Sequence, residues 1–297
     1  MRSILVTGAN GQLGNALRII EDGFDGIKLF FTDVDTLDIC DKIRIETFVR
    51  SHRIDTIVNC AAYTAVDKAE DEVELCMRIN RDAVRNIGEI AASAGVKVIH
   101  VSTDYVFDGC TAIPYRENDT TNPTSVYGAS KLAGEQVLLQ VCTDSVIIRT
   151  AWLYSETGSN FLKTMLRLGK ERDIIGVVAD QKGTPTYAGD LADAIKTVLM
   201  SEKFVPGIYH YTNEGSCTWF DFAVKIFETA NIKCKVKPLA TAEYPTRAKR
   251  PAYSILDKSK MKETYSIKIP VWENGLVNCL RNLSENTDLA RAETKLV

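Results

Sequence analysis

The sequence predicts an α/β fold in which a doubly wound parallel sheet is joined to a second, smaller α/β unit. Two observations predict the sheet. Short β-branched runs alternate with helix-length amphipathic stretches through the first half of the chain, and the first run leads straight into a glycine-spaced turn. A third observation predicts the second unit: after Trp152 the alternation gives way to longer polar loops and isolated short elements.

Taken in order, "SILVTG" (3–8), "IKLFFTD" (27–33), "DTIVNCA" (55–61), "VKVIHVST" (96–103) and "SVIIRTAW" (145–152) read as strands buried on both faces. The stretches 12–21, 41–51, 72–94 and 126–141 between them have helical periodicity. A sixth strand is expected near "IIGVVAD" (174–180), followed by a helix over 189–201. The second half offers a helix near 160–171, a "GIYHYT" strand (207–212), a helix opened by "CTWFDFA" (217–223) and an irregular "YPTRAKRP" (244–251). The expected division is a Rossmann-type dinucleotide-binding domain over 1–151, with 174–202 returning to it. A smaller α/β substrate-binding domain over 152–173 and 203–283 would cover the carboxyl edge of the sheet. The last residues, 284–297, lack a strong apolar face and read as a loosely held tail.

Bulk composition narrows the function classes. The chain has 297 residues, 45% hydrophobic and 25% charged, which fits a globular protein with a sizeable core. A net charge of -3 argues against a nucleic-acid-binding surface. No apolar run is long enough to span a membrane, and Gly8 interrupts the only apolar stretch that resembles a secretion signal. The eight cysteines, at 40, 60, 76, 110, 142, 217, 234 and 279, include no C-x-x-C pair. They read as free thiols in a reducing cytoplasm, and the three isolated histidines give no metal cluster.

The turn "VTGANGQLG" carries the first chemistry. Gly8 permits a tight turn, Gly11 lets backbone approach a pyrophosphate, and Gly14 lets the following helix pack against the strand. Exposed N–H groups and the positive helix end would hold the phosphates, so Gly8, Asn10, Gly11, Gln12, Leu13 and Gly14 are candidate cofactor residues. The spacing is G-x-x-G-x-x-G, a variant of the plain dinucleotide pattern. Asp33 ends the second strand, 19 residues after Gly14, where an acid can accept hydrogen bonds from an adenosine ribose. Asp35 competes for that role, and Asp33 also reads as a capping aspartate, so NADPH and NADH both remain candidates. Ala61 and Ala62, with Tyr63, end the third strand and would let a flat ring approach the backbone, although close helix packing explains small residues equally well.

The fourth strand ends in "VSTDYVFDG", which would project Ser102, Thr103 and Asp104 into the crevice beyond the sheet. A hydroxyl there can hydrogen-bond a carbonyl; the plainer reading is a turn held by its own side chains. The next predicted helix carries Tyr127 and Lys131, four residues apart and hence on one face. With 11 tyrosines in the chain, about one Tyr-x-x-x-Lys is expected by chance. This one follows the glycine turn, Asp33 and Thr103 in order, which turns a common pair into a proton donor and its lysine. A nearby ammonium is expected to lower the phenol from its ordinary value toward neutrality.

With these residues in view, the chain resembles the extended short-chain dehydrogenase/reductases, and within them the dTDP-4-dehydrorhamnose reductase family. The matching stretches are "TGANGQLG", "LDICD", "IVNCAAYTAVDKAE", "VIHVSTDYVFDG", "VYGASKLAGE", "RTAWLYSETGSNFLKTML", "DQKGTPTYAGDLA", "GIYHYTNEGSCTWFDFA" and "RPAYSILD". They run from residue 1 to about 283. The resemblance implies a catalytic set of Thr103, Tyr127 and Lys131, with NADPH or NADH as hydride source. It implies a dTDP-sugar substrate lined by Thr103, Asp104, Tyr105, Trp152, Asn160, Phe161, Thr186 and Arg250. It also implies the last step of dTDP-L-rhamnose synthesis. Some members carry a metal-binding glutamate at a dimer contact; here that position is Ala16, so no metal is expected and a monomer or weak homodimer is. Two alternatives stand beside this reading. A nucleotide-sugar dehydratase or epimerase would need the glutamate of "TDE", where this chain has Thr103-Asp104-Tyr105. A non-catalytic subunit resembling the regulatory beta subunit of methionine adenosyltransferase would keep the fold without turnover.

Overall fold

A computed structural model describes the backbone of residues 2–294 and the side chains through residue 285. The chain begins β1 (Arg2–Thr7), α1 (Gln12–Ile19), β2 (Ile27–Thr32), α2 (Lys42–Ser51), β3 (Thr56–Asn59), α3 (Val66–Ala69), α4 (Val73–Met77), α5 (Ala83–Ala94) and β4 (Lys97–Thr103). It continues α6 (Val126–Val141), β5 (Ser145–Thr150), β6 (Leu153–Tyr154), α7 (Phe161–Glu171), β7 (Ile174–Val178), β8 (Lys182–Gly183), β9 (Thr186–Tyr187) and α8 (Ala188–Met200). The remaining elements are β10 (Gly207–His210), β11 (Cys217–Thr218), α9 (Trp219–Thr229), β12 (Lys235–Leu239), α10 (Ser259–Tyr265) and α11 (Trp272–Thr294).

Six strands form one parallel sheet in the order β10-β5-β4-β3-β1-β2. Because side chains alternate across a strand, each strand feeds two cores. Ile4, Val6, Val58 and Ile99 face α1 and α8 on one side. Leu5, Ile57, Val98 and Ile147 face α2, α5 and α6 on the other. The chain leaves β1 toward β2 and later returns to the opposite side at β3, so a crevice opens at the carboxyl ends between them. A separate apolar cluster of Leu162, Phe222, Ile226, Trp272 and Leu276 holds α7, α9 and α11 together.

One strand differs from the sequence reading. The sixth strand of the sheet is Gly207–His210, while Ile174–Val178 pairs with Lys235–Leu239 in a separate two-stranded ribbon. Ile174 is exposed and Leu239 packs over Gly176, so "IIGVV" has one covered face, not two. A short apolar run does not by itself reveal which sheet it joins. Helix α11 also continues through Thr294, so the backbone of 284–294 is helical; the expectation of a loose tail over 295–297 lies outside the described residues.

The stretch 72–94 is not one regular helix. Between α4 and α5 lies a π-helical turn, Arg78–Asp82, with Asn80 buried at its centre. The wider turn brings the Asn80 carbonyl against Gly134 of α6, where an added Cβ would lie 2.1 Å from that oxygen. Replacing Gly134 by Ala gains about 1 kcal/mol in helix propensity. Overpacking costs about 3 kcal/mol, so Gly134→Ala is expected to lower stability by about 2 kcal/mol, read as a lower urea midpoint.

Candidate functional site

A cavity of about 870 Å³ opens at the carboxyl edge of the sheet. Gly8, Asn10, Gly11, Gln12, Leu13, Asp33, Ala61, Ala62, Thr103, Asp104, Tyr105, Tyr127, Lys131 and Trp152 all line it. Residues not singled out from the sequence line it too, among them Val34, Leu37, Ile39, Cys60, Thr64, Val66, Gly158 and Ser159. Their signal was weak: Leu37 and Ile39 lie in "LDICD", which carried the resemblance without a role, and the others are ordinary loop or strand-end residues.

At one end, β1 runs into the glycine turn. Gly8 has φ +65°, and a Cβ there would meet the Ala61 nitrogen at 2.5 Å, so both handedness and space require glycine. Gly14 does not line the cavity; a Cβ on it would sit 2.5 Å from the Gly8 carbonyl oxygen, which makes it the packing glycine. Gly11 is the N-cap of α1 and supplies no capping side chain, so the first N–H groups of the helix stay available to an anion. Asp33 accepts hydrogen bonds from the backbone N–H of Asn10 at 2.8 Å and of Val34 at 2.8 Å. It thus braces the glycine turn while lining the cavity; Asp35 does not line it. This end has the shape and donor set for a dinucleotide pyrophosphate.

At the other end, α6 starts at Ser125, whose hydroxyl accepts the Gly128 N–H. The helix then brings Tyr127 and Lys131 beside the strand end that carries Thr103. Lys131 is 2% exposed, and its ammonium donates to the Val101 carbonyl at 2.7 Å. Burial lowers its pKa to about 8, opposed by the charge of Glu135. Thr103 stands near enough to favour the charged form of Tyr127, yet burial dominates and pushes the phenol above its ordinary value, with Asp104 adding to the rise. This corrects the expectation that Lys131 would lower it: desolvation disfavours a phenolate, and that cost outweighs the lowering contribution. The phenol is therefore held protonated, the state a proton donor needs.

Behind this wall lies a buried polar layer that the sequence did not reveal. Glu135 accepts three bonds from the Arg149 guanidinium, at 2.9, 3.2 and 2.7 Å, and one from Ser102 at 2.5 Å. The two charged side chains are each 2% exposed. Asn80 accepts the Tyr63 N–H and donates to the Tyr63 carbonyl and the Ser130 hydroxyl. It thereby pins the end of β3 to the helix that carries Tyr127 and Lys131. Tyr63 itself does not line the cavity; its hydroxyl donates to Glu72.

The second unit closes the cavity from above. Trp152 has φ +48°, a strained conformation for a non-glycine residue, and its ring stacks on Trp219 with centroids 3.6 Å apart. Phe161 packs behind, against Trp219, and does not reach the cavity. Asn160 caps α7 through Lys163 N–H and donates to the Gln12 carboxamide oxygen at 2.8 Å, where Ser155 also donates. Thr186 lies one layer back, hydrogen-bonded by the Thr150 hydroxyl at 3.4 Å. Arg250 also stands outside the lining, with its guanidinium on Asp67 at 2.8 Å. Four of the expected substrate residues, Asn160, Phe161, Thr186 and Arg250, therefore support the cavity from its periphery.

Comparison with known proteins follows the same lines. Residues 1–285 match the family described as RmlD substrate binding domain. A dTDP-4-dehydrorhamnose reductase of Aggregatibacter actinomycetemcomitans is 42% identical, over 94% of this chain and 98% of that protein. The crystal structure of a dTDP-4-dehydrorhamnose reductase from Clostridium acetobutylicum superposes with TM-score 0.91 at 41% identity, covering 95% of this chain and 99% of that one. Another, from Bacillus anthracis in complex with NADP, superposes with TM-score 0.90 at 41% identity, covering 95% and 100%.

The buried Glu135–Arg149 pair yields a stability prediction. Glu135→Ala leaves a buried guanidinium without its counter-charge, and should cost about 3–5 kcal/mol. The double replacement Glu135→Leu with Arg149→Met should cost less than that single change. Urea unfolding of the three proteins checks the order.

Proposed function

The chain belongs to the RmlD substrate binding domain family, and on that premise we propose that it reduces dTDP-4-dehydro-6-deoxy-L-mannose to dTDP-L-rhamnose. This is the last step of dTDP-L-rhamnose synthesis. The observation that carries the reading is that one cavity joins the glycine turn to Thr103, Tyr127 and Lys131. Relatives named for this reaction, about 40% identical over nearly the whole chain, support it. NADPH or NADH supplies the hydride; the NADP complex of the Bacillus anthracis relative supports NADPH.

The chain's own residues do the rest. The uncapped start of α1 and the turn at Gly8 and Gly11 hold the pyrophosphate. Lys131 fixes the ribose side of the nicotinamide half and adds positive potential beside Tyr127. Charge develops on the C4 oxygen of the sugar, and Tyr127 delivers its phenolic proton there. Trp152, held by its stack on Trp219, offers a flat apolar wall to the sugar ring. Arg250, already ordered by Asp67, stands at the rim as the charge for the nucleotide diphosphate.

We read residues 1–151 with α8 and β10 as the dinucleotide-binding unit, and 152–173 with the β7–β12 ribbon and α9 as the substrate unit; β10 pairs in the large sheet and β7 in the small ribbon, which moves the boundaries expected from the sequence. The chain is proposed to act in the cytoplasm as a monomer or weak homodimer; eight free cysteines support a reducing compartment.

Supplying the keto sugar with NADPH and NADH in turn, and identifying the sugar product, tests the reading; unchanged keto sugar with both would overturn it. Tyr127→Phe removes the donor and should lower turnover by about 10²–10⁴ with the urea midpoint kept. Activity should also fall as pH rises through about 8, because Lys131 loses its ammonium there. In Lys131→Met that alkaline limb should vanish along with most activity, as read from pH profiles of kcat/KM.

A further inference from the structure

Tyr127 sits in the first turn of α6, and that turn is held by a residue for which the reaction above has no use. A helix begins with N–H groups that find no partner inside it. Two of them are satisfied here by side chains. The Ser125 hydroxyl accepts the Gly128 N–H at 3.2 Å, and the Glu70 carboxylate accepts the Val126 N–H at 2.9 Å. Glu70 directly follows α3 and stands 56 residues before Val126, so this second cap comes from a distant part of the chain.

The backbone that carries Tyr127 is thereby fixed on both sides. Before it, the Val126 N–H is bound to Glu70. After it, the Tyr127 carbonyl accepts the Ser130 hydroxyl at 2.7 Å, and that hydroxyl accepts from Asn80 at 2.9 Å. Gly128 lies against the Tyr105 carbonyl, with which a Cβ would collide, and the Tyr105 and Tyr127 rings meet edge to face. Glu70 also has a firm base. Ala69 beside it is fully buried, and Asp67 on α3 accepts the Ala248 N–H at 3.0 Å and the Arg250 guanidinium at 2.8 Å.

We propose that Glu70 is a positioning residue for the proton donor: by holding the Val126 N–H it sets where the Tyr127 hydroxyl stands in the cavity. The inference rests on the reductase reading. Glu70 touches no reacting atom and acts through the backbone of α6. The rest of that helix has its own holds on the sheet, Lys131 on Val101 and Glu135 on Arg149. Loss of Glu70 therefore leaves α6 folded and frees only its first turn, the turn that carries Tyr127.

Two effects of a carboxylate at this place can be told apart. Its charge stabilises the start of any helix, whereas its hydrogen bond fixes the position of one peptide. A glutamine side chain keeps an acceptor oxygen and loses the charge. Glu70→Gln thus retains the hold on Val126, and Glu70→Ala abolishes it.

The test measures single-turnover reduction of the keto sugar by wild type, Glu70→Ala and Glu70→Gln, each preloaded with NADPH. Glu70→Ala should be slower by about tenfold, within the range that small misplacements of reacting groups produce. Its NADPH affinity should be unchanged. The solvent deuterium isotope effect on its rate should rise, because a displaced donor makes proton transfer the slow step. Glu70→Gln should match wild type in both rate and isotope effect. A smaller folded fraction alone would lower the rate and leave the isotope effect where it was. Wild-type rate in Glu70→Ala would overturn the proposal, as would a slowed Glu70→Ala with the wild-type isotope effect. So would a Glu70→Gln as slow as Glu70→Ala, since charge and not the hydrogen bond would then be the cause. A substrate-free arm follows amide hydrogen exchange by NMR. The Val126 N–H should exchange faster in Glu70→Ala than in the other two proteins, while the Leu138 N–H further along the helix keeps its protection. Equal exchange at Val126 in a wild type and Glu70→Ala that both reduce the sugar defeats the positioning role alone. Absence of sugar reduction by wild type defeats the reductase reading, and the positioning role with it.

Discussion

The structure depends on how α6 is held against the sheet. A buried ammonium is expensive without hydrogen-bond acceptors, and Lys131 donates one of its three N–H groups to the Val101 carbonyl. Two residues further along the same strand stands Thr103, so the bond from Lys131 to Val101 also fixes the helix relative to the Thr103 hydroxyl. The other contacts of α6 serve the same end. Gly134 admits the Asn80 carbonyl, Glu135 grips Arg149 on β5, and Ser130 meets Asn80. A helix secured on three sides in this way presents Tyr127 and Lys131 with little freedom to drift. Positioning of this kind is what proton transfer requires.

The second unit is tied to the cofactor turn as well as to its own core. Gln12 belongs to the glycine turn, yet its carboxamide oxygen is held by Ser155 and Asn160 from the loop after β6. That loop continues into Gly158 and Ser159, which line the cavity. Its far side is braced by Glu156, which accepts from Tyr187 at 2.5 Å and from Asn282 of α11 at 2.9 Å. The strain at Trp152 fits this arrangement: the ring must leave the end of β5 and reach Trp219, and the left-handed turn makes that reach possible. The roof of the cavity and the turn at its floor are therefore one hydrogen-bonded assembly.

Much of this was legible in the sequence, for identifiable reasons. Gly8 and Gly14 announce themselves because only glycine fits their backbone and packing. Tyr127 and Lys131 stood out because helical spacing and chain order put them after Thr103. What escaped were residues whose roles depend on tertiary partners. Asn80 looks like any polar residue in a helical stretch, and only the π-turn reveals that it faces inward. Glu135 and Arg149 are far apart in sequence and meet only when α6 lies on β5. The strand at 174–178 was assigned to the wrong sheet because its apolar run resembles those of the large one. The sign of the Tyr127 shift was misread because spacing reveals a neighbouring lysine but not the burial that outweighs it.

The proposed reaction delivers a hydride to C4 and a proton to the C4 oxygen of one sugar in this cavity. Reduced cofactor carrying deuterium at the transferable position of the nicotinamide tests it most directly, with the sugar nucleotide product read by mass spectrometry and NMR. The expected result is one deuterium per product, bound to C4 and in a single configuration. Deuterium retained in the cofactor while the sugar nucleotide is recovered altered, or deuterium at any other carbon, would contradict it.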